Sequence, residues 1–396
     1  MTPLRTTPAS AHPPTGLPVL RLGFRPFYLG AGAVAVIWMG VWSAMMTGRV
    51  SLGNGMPPIL WHAHEMLFGF VTAVIVGFLL TAGKVWTGRA TPRGGALAML
   101  WLLWLAGRIA SVGAPPAIFA ACDTAFLLTI AILFGALIIR SRNWRNLPIA
   151  GVLFLLAASN LAFHLASMRA LPMSPLTALL GGFSLVVVLT SVIGGRVIPA
   201  FTQSVSPGWK SSEPRWLSTA SIATTAAGLV LWISAAPGPL CAITLAIAAV
   251  LQAARLACWN SPAVLRRPIL WILHLSYAWT PIGLALLAAS AAGWTGTSAG
   301  VHALAVGCIG GLVLGMMTRT ARGHTGRPLH ASSIEVTSYV LIGVAALFRV
   351  ATPFLPLQFQ SAALLLAVCA WTAAFALYLA RYSVWLMTAR LDGRDG

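Results

Sequence analysis

Histidine is the residue type in this sequence that is best suited to hold a metal, because neutral imidazole binds copper, zinc and iron. Four of the eight histidines lie near one end of three apolar segments that are far apart in sequence: His62, His64, His164 and His302. We expect these four to converge as metal ligands. Because two residues turn a regular helix by about 200°, His62 and His64 can both be ligands only under one of two conditions. Either His62 precedes the first turn, or the two histidines serve different metals.

Two of the six acidic residues, Glu65 and Asp123, lie at the same predicted depth as these histidines. An ionisable group inside a membrane is costly and usually functional, so both are candidate catalytic residues that would relay protons. Met66 follows His62 by four residues, on the same helical face, and could add the thioether ligand that copper accepts. The competing interpretation is that the histidines only form hydrogen bonds at the lipid headgroups.

A second set of candidates lies toward the opposite ends of the apolar segments and could bind a haem. The five cysteines are scattered without a C-x-x-C pair, which excludes covalent haem attachment and an iron–sulfur or zinc framework. Any haem b is therefore held by histidine, and arginines could pair with its propionates, unless they only set the topology. The candidate cofactor-binding residues are His164, His274, His324, Arg319, Arg327 and Arg196, while His330 fits a loop position better.

The composition predicts the elements that must position these residues. The 396 residues are 58% hydrophobic and only 8% charged, with a mean hydropathy of +0.86, whereas a soluble domain is about 25% charged. Apolar runs of about 20 residues, each long enough to cross a bilayer as a helix, recur along the chain. We predict an all-α polytopic bundle of twelve transmembrane helices at 27–47, 60–83, 95–112, 116–139, 147–168, 175–201, 216–235, 237–257, 268–292, 298–318, 333–350 and 357–387.

The formal charge of +19 follows the predicted topology and does not indicate a nucleic-acid partner. Only four of the 25 basic residues fall on one side of the predicted membrane, namely Arg49, Arg108, Arg169 and Arg349. Because basic residues stay cytoplasmic, we expect a bacterial inner-membrane protein with both termini inside and the four histidines near the periplasmic face. The expected domains are a cytoplasmic segment 1–24 without a cleavable signal, one transmembrane domain 25–390, and a cytoplasmic tail 391–396.

The sequence also hints at three units of four helices. Pro26, Pro148 and Pro268 begin the first, fifth and ninth spans at spacings of 122 and 120 residues, and the second and tenth spans match without a gap at an offset of 238, which pairs His64 with His302. The middle unit fits least well, because Phe183 stands where a histidine is expected. Chance recurrence of proline and basic residues at helix starts is the alternative.

At these residues the chain resembles the NnrS family. The matching stretches begin at 24–27 and continue with 61–69, Asn160 with His164, 194–201, 302–319, and 323–328. One departure is Lys84-Val85-Trp86, where a Pro-Asn before the tryptophan is expected. The resemblance implies a twelve-helix membrane protein that binds haem and copper and is linked to nitric oxide in denitrification and nitrosative stress.

Three functions follow as hypotheses. The first is reduction or other consumption of nitric oxide, with electrons from quinol or a protein partner. The second is non-catalytic binding of nitric oxide for sensing or protection, and the third is transport of metal or haem, which usually needs ionisable groups at mid-membrane. For a site at the four histidines, His64→Ala or His302→Ala should lower bound haem or copper, and changes at His12 or His330 should not.

Overall fold

The computed structural model describes residues 16–53, 55–236 and 238–394, and it confirms an all-α bundle: these residues form helices and no strand. His12 and residues 1–15 of the predicted cytoplasmic segment lie outside the described ranges. Twelve helices are long and apolar enough to cross a membrane. They are α1 (Phe24–Met46), α2 (Pro58–Thr87), α3 (Gly95–Gly113), α4 (Pro116–Arg140), α5 (Trp144–Ser167), α6 (Pro175–Val205), α7 (Arg215–Ile233), α8 (Gly238–Ala257), α9 (Pro268–Ala291), α10 (Thr297–His324), α11 (Ser333–Phe354) and α12 (Leu357–Met387).

The helices pack in a cyclic order with a period of four. Within the quartets α1–α4, α5–α8 and α9–α12, the first helix packs against the second and the third against the fourth. Between quartets, α4 packs against α5, α8 against α9, and α12 against α1. The Arg25 guanidinium closes the ring by donating to the carbonyl oxygens of Leu386 at 2.9 Å and Thr388 at 2.8 Å. A repeat of three four-helix units predicts this order.

The centre of the ring is formed by the second helix of each quartet. An apolar cavity of about 110 Å³ lies among α2, α6 and α10, with Val74, Leu189 and Val313 among its lining residues. Gly307, Gly311 and Gly315 repeat at four-residue spacing on α10, a pattern that lets a neighbouring helix, here α9, approach closely. A Cβ at Gly307 would lie 2.4 Å from the Trp279 ring, and one at Gly311 would lie 2.1 Å from Ser276 Oγ.

Helices α2 and α10 share a local irregularity. Each contains a π-helical segment, Glu65–Val71 in α2 and Ala303–Gly310 in α10. The segments begin directly after His64 and His302, at the same offset of 238 residues. Short π-helical segments inside α-helices are frequent at functional sites. Both helices therefore present a histidine just before a widened turn.

Candidate functional site

The structure divides the four histidines at this end of the bundle into two groups. Helix α2 begins at Pro58, so His62 and His64 both lie on regular helix and point to opposite sides, as a turn of about 200° requires. His64 faces His164 of α5, with ring centroids 5.2 Å apart. His62 lines a cavity together with His302 of α10. We call the first group, His64, Glu65, Arg108, Asp123, Asn160 and His164, the carboxylate site. The second, lined by Met39, Trp42, His62, His302, Arg349 and Trp371, is the arginine cavity.

Three side chains of the carboxylate site point potential ligand atoms at one another. Asp123 Oδ2 lies 3.1 Å from His64 Nε2 and 3.2 Å from His164 Nε2. One such atom from each residue lies within 4.8 Å of the others, and all three residues are buried. Two imidazoles and one carboxylate are a donor set that copper and non-haem iron accept.

Glu65 orients His64 from the other side of the imidazole ring. Glu65 Oε1 lies 3.0 Å from His64 Nδ1, and because a carboxylate only accepts, Nδ1–H is the donor. Trp38 Nε1 donates to Glu65 Oε2 at 2.7 Å, and Arg108 Nη1 donates to Oε1 at 2.6 Å. A carboxylate on the second nitrogen of a histidine fixes the tautomer that leaves Nε2 free for a metal.

Charge in this site is left unbalanced. Arg108 pairs with both acids, since its Nη2 also donates to Asp123 Oδ1. With neutral histidines, two carboxylates and one guanidinium leave a net charge of −1 in a buried site. His64 Nε2, without a proton, faces two acceptor oxygens, Asp123 Oδ2 and Asn160 Oδ1 at 3.1 Å. This arrangement is repulsive unless a cation, either a metal ion or an added proton, lies between these atoms.

Aromatic rings enclose the His64 imidazole. The Phe68, Phe119 and Phe163 rings have centroids 5.2, 5.1 and 4.6 Å from that of His64. These rings, together with His164, pack the space beside the imidazole. A haem macrocycle does not fit beside His64 in this packing.

The arginine cavity differs in size and charge. Its volume is about 50 Å³, room for a few small molecules, since one water needs about 10–15 Å³. The His62 ring stacks on the Trp42 indole with centroids 4.5 Å apart. His302 Nδ1–H donates to the carbonyl oxygen of Ser298 at 2.8 Å, and Arg349 Nη2 donates to Ser298 Oγ at 3.0 Å. The lining residues include no acid.

The other candidate ligands lie in separate contacts. Met66 packs against the apolar core. At the opposite end of the bundle, both ring nitrogens of His274 meet hydroxyls, Thr202 Oγ1 and Ser261 Oγ, each at 2.9 Å. His330 is exposed. These contacts leave His274 without a free ligand atom.

The remaining haem candidates are held by different neighbours. His324 packs against Phe24, with ring centroids 5.5 Å apart. The Arg319 guanidinium lies 3.8 Å from the centre of the Phe201 ring, and that of Arg327 lies 4.2 Å from Trp385. Arg196 Nη1 donates to Asn146 Oδ1 at 3.0 Å. These contacts do not bring the candidates together around one site.

The sequence assigns no chemical role to several residues that lie in or beside these sites. Arg108, Trp38 and Asn160 hold the carboxylate site, and Arg349 lies in the cavity. Arg108 and Arg349 were counted only as two of the few basic residues on one side of the membrane. The signal that distinguishes Arg108 is its place inside an apolar span, where an unpaired charge is costly.

Comparison with known families agrees with the motifs. The family model described as NnrS protein matches residues 18–390, nearly the whole chain. No curated protein matches the chain significantly.

Proposed function

The chain belongs to the NnrS family, and from this premise we propose that it binds and consumes nitric oxide at a copper ion held in the carboxylate site. Membership supports a nitric oxide-related membrane protein, and the twelve apolar helices support a multi-pass one. The proposed ligands are His64 Nε2, Asp123 Oδ2 and His164 Nε2.

One observation carries the proposal: three buried ligand atoms converge in a site with a net negative charge. Burying an uncompensated charge is strongly unfavourable, whereas a bound cation compensates it. The support around the ligands fits as well. Glu65 accepts a hydrogen bond from His64 Nδ1, and Asn160 Nδ2 donates to Asp123 Oδ2 at 2.8 Å. Side chains that bind metals are usually oriented by hydrogen bonds of this kind.

Bound copper would supply a centre that binds nitric oxide and exchanges single electrons. The reduction 2 NO + 2 H⁺ + 2 e⁻ → N₂O + H₂O also needs protons, and Glu65 and Asp123 are the proposed donors. Copper would occupy His64 Nε2 and Asp123 Oδ2, so the contact that stays available for proton transfer is that of Glu65 Oε1 with His64 Nδ1. Electrons would come from quinol or a protein donor.

The proposed location is the bacterial inner membrane, with both termini in the cytoplasm and the carboxylate site near the periplasmic face. The distribution of basic residues supports this orientation. Haem b, which the family resemblance implies, fits neither of the two sites described here. The arginine cavity is too small for a macrocycle, and the apolar central cavity has no imidazole in its lining.

Non-catalytic binding of nitric oxide for protection is the second candidate function. The complete burial of His64 and Glu65 favours it, because such a site takes up a small gas more readily than it receives electrons from a soluble donor. A metal or haem transporter is disfavoured, because the lining of the central cavity includes no histidine, acid or basic residue, whereas transporters usually have such groups at mid-membrane.

The test is nitric oxide uptake by protein purified without oxygen, loaded with copper and followed with a nitric oxide electrode, with and without a reductant. Sustained consumption that requires reductant and is lost in His164→Ala supports turnover. Uptake of about one equivalent with no further consumption supports the binding function. No uptake by copper-loaded wild-type protein would contradict both.

A further inference from the structure

We propose that the arginine cavity binds a small planar oxyanion of the size of nitrite or formate. This inference concerns a different site from that of the proposed function. Its first support is the charge of Arg349, which lies in the cavity and in none of the ion pairs among the described residues. A half-buried guanidinium without an anion is unfavourable, so a bound anion would stabilise it.

The second support is a pair of buried ring nitrogens that lack hydrogen-bond partners. Trp42 Nε1 and His62 Nδ1 are both buried without a partner, and both residues line the cavity. An indole N–H can only donate, so its partner must be an acceptor. Leaving such a group unsatisfied costs about 1–3 kcal/mol. The stacking of His62 on Trp42 holds the two rings together at the cavity, and an anion there would select the His62 tautomer that carries its proton on Nδ1.

Arg349 completes the donor set. Its one hydrogen bond found in the structure uses Nη2, and a guanidinium has five N–H donors in a planar fork. Such a fork matches the two oxygens of a planar oxyanion. His302 contributes differently, because its Nδ1–H already donates to Ser298, so its Nε2 is an acceptor and forms part of the wall.

The size of the cavity selects among anions. A volume of about 50 Å³ holds an ion of three or four heavy atoms and excludes a lipid phosphate with its chains. A metal cation is disfavoured by the positive charge of Arg349 and by the absence of an acid among the lining residues. In a low-dielectric site, a charge a few ångströms away strongly attracts an ion of opposite sign and repels one of the same sign. Arg349 therefore favours an anion over a metal cation.

The experiment is calorimetric titration of the detergent-purified wild-type protein with sodium nitrite, in sodium gluconate buffer of constant ionic strength. Gluconate is too large for the cavity and serves as the background anion. We expect saturable binding at one site per chain, and formate should compete with nitrite. Arg349→Gln should weaken binding at least about tenfold, equivalent to about 1.4 kcal/mol, and Arg349→Lys should recover part of the loss.

The matched control is Arg49→Gln, which removes an exposed arginine from the α1–α2 connection and should leave the affinity unchanged. If Arg349→Gln does not fold, Trp42→Phe removes one donor without changing the charge and should still weaken binding several-fold. Absence of saturable binding to wild-type protein would overturn the proposal. Unchanged affinity in folded Arg349→Gln, or copper that is lost in His302→Ala and retained in His164→Ala, would do so too.

Discussion

The carboxylate site and the arginine cavity occupy corresponding places in the ring of helices and carry opposite charges. His64 and His302 each precede a π-helical segment of a central helix, at an offset of 238 residues. Arg108 of α3 and Arg349 of α11 stand in the helices that follow them. In the carboxylate site, two acids and one arginine give a net charge of −1. The arginine cavity contains no acid among its lining residues, so the positive charge of Arg349 is not compensated there.

The neighbouring quartet supplies the other half of the difference. The residue 122 positions before His164 is Trp42, the same spacing as between Pro26 and Pro148. One site therefore receives an imidazole from α5, and the other receives an indole from α1. Where the second quartet meets the third, Phe183 of α6 and Leu284 of α9 hold the positions that match these ring residues, and both are buried. A few side chains on one scaffold thus produce a negatively charged site, a positively charged cavity or apolar packing.

The largest expected difference between the two sites is in stability. Arg108→Gln leaves two buried acids without their cation, and breaking a buried ion pair from one side costs about 3–5 kcal/mol. Arg349→Gln removes a charge that has no acidic partner, so we expect a change below about 1 kcal/mol. Thermal unfolding in detergent, followed by tryptophan fluorescence, measures both variants.

The control is the double variant Arg108→Gln/Glu65→Gln, which removes one unpaired acid with the arginine and should recover part of the lost stability. Equal destabilisation by Arg108→Gln and Arg349→Gln would contradict the difference in charge between the sites.

Two glycines at the same offset of 238 residues allow an effect on the metal site to be distinguished from a general effect on packing. A Cβ at Gly69 would lie 2.8 Å from Arg108 Nη1 and 3.2 Å from Glu65 Oε2, whereas one at Gly307 would lie 2.4 Å from the Trp279 ring. Overpacking costs about 1–3 kcal/mol in either place. We expect Gly69→Ala to lower bound copper and Gly307→Ala to leave it unchanged, as measured by elemental analysis. Loss of copper in both variants to the same extent would show that the effect is global.

The smallest effect concerns the tryptophan that supports Glu65. Trp38→Phe removes the hydrogen bond from Nε1 to Glu65 Oε2, and a bond to a charged acceptor contributes about 1.5 kcal/mol or more. Trp101→Phe is the matched control, because Trp101 Nε1 is buried without a partner. The difference in unfolding free energy between the two variants should therefore be about 1.5 kcal/mol. Equal stabilities would mean that the bond to Glu65 contributes nothing.

The helices could be predicted because hydropathy is local. All twelve predicted spans are present, and α10 extends beyond its predicted end at 318 to His324. Arg322 remains helical there because it pairs with Glu335 of α11, with Nη2 at 2.5 Å from Oε1. A local window sees only the charge of Arg322 and not the acid that compensates it.

The division of the histidines could not be predicted, because it depends on where α2 begins and on which helices face each side of it. The roles of two arginines depend on distant partners in the same way. Arg108 is 1% exposed and bridges Glu65 and Asp123, while Arg169 is exposed. Arg108 lies inside the predicted span 95–112 and Arg169 directly follows the span 147–168, but neither span shows which acids of other helices lie opposite its arginine.

The central claim is that the carboxylate site, and not the arginine cavity, holds the metal. The most direct measurement is the copper content per chain of wild-type protein, His164→Ala and His302→Ala, each loaded anaerobically and freed of excess metal. The account predicts about one copper in wild type, almost none in His164→Ala, and the wild-type amount in His302→Ala, because His302 lies in the other site. Copper that persists in folded His164→Ala, or that disappears in His302→Ala alone, would contradict it.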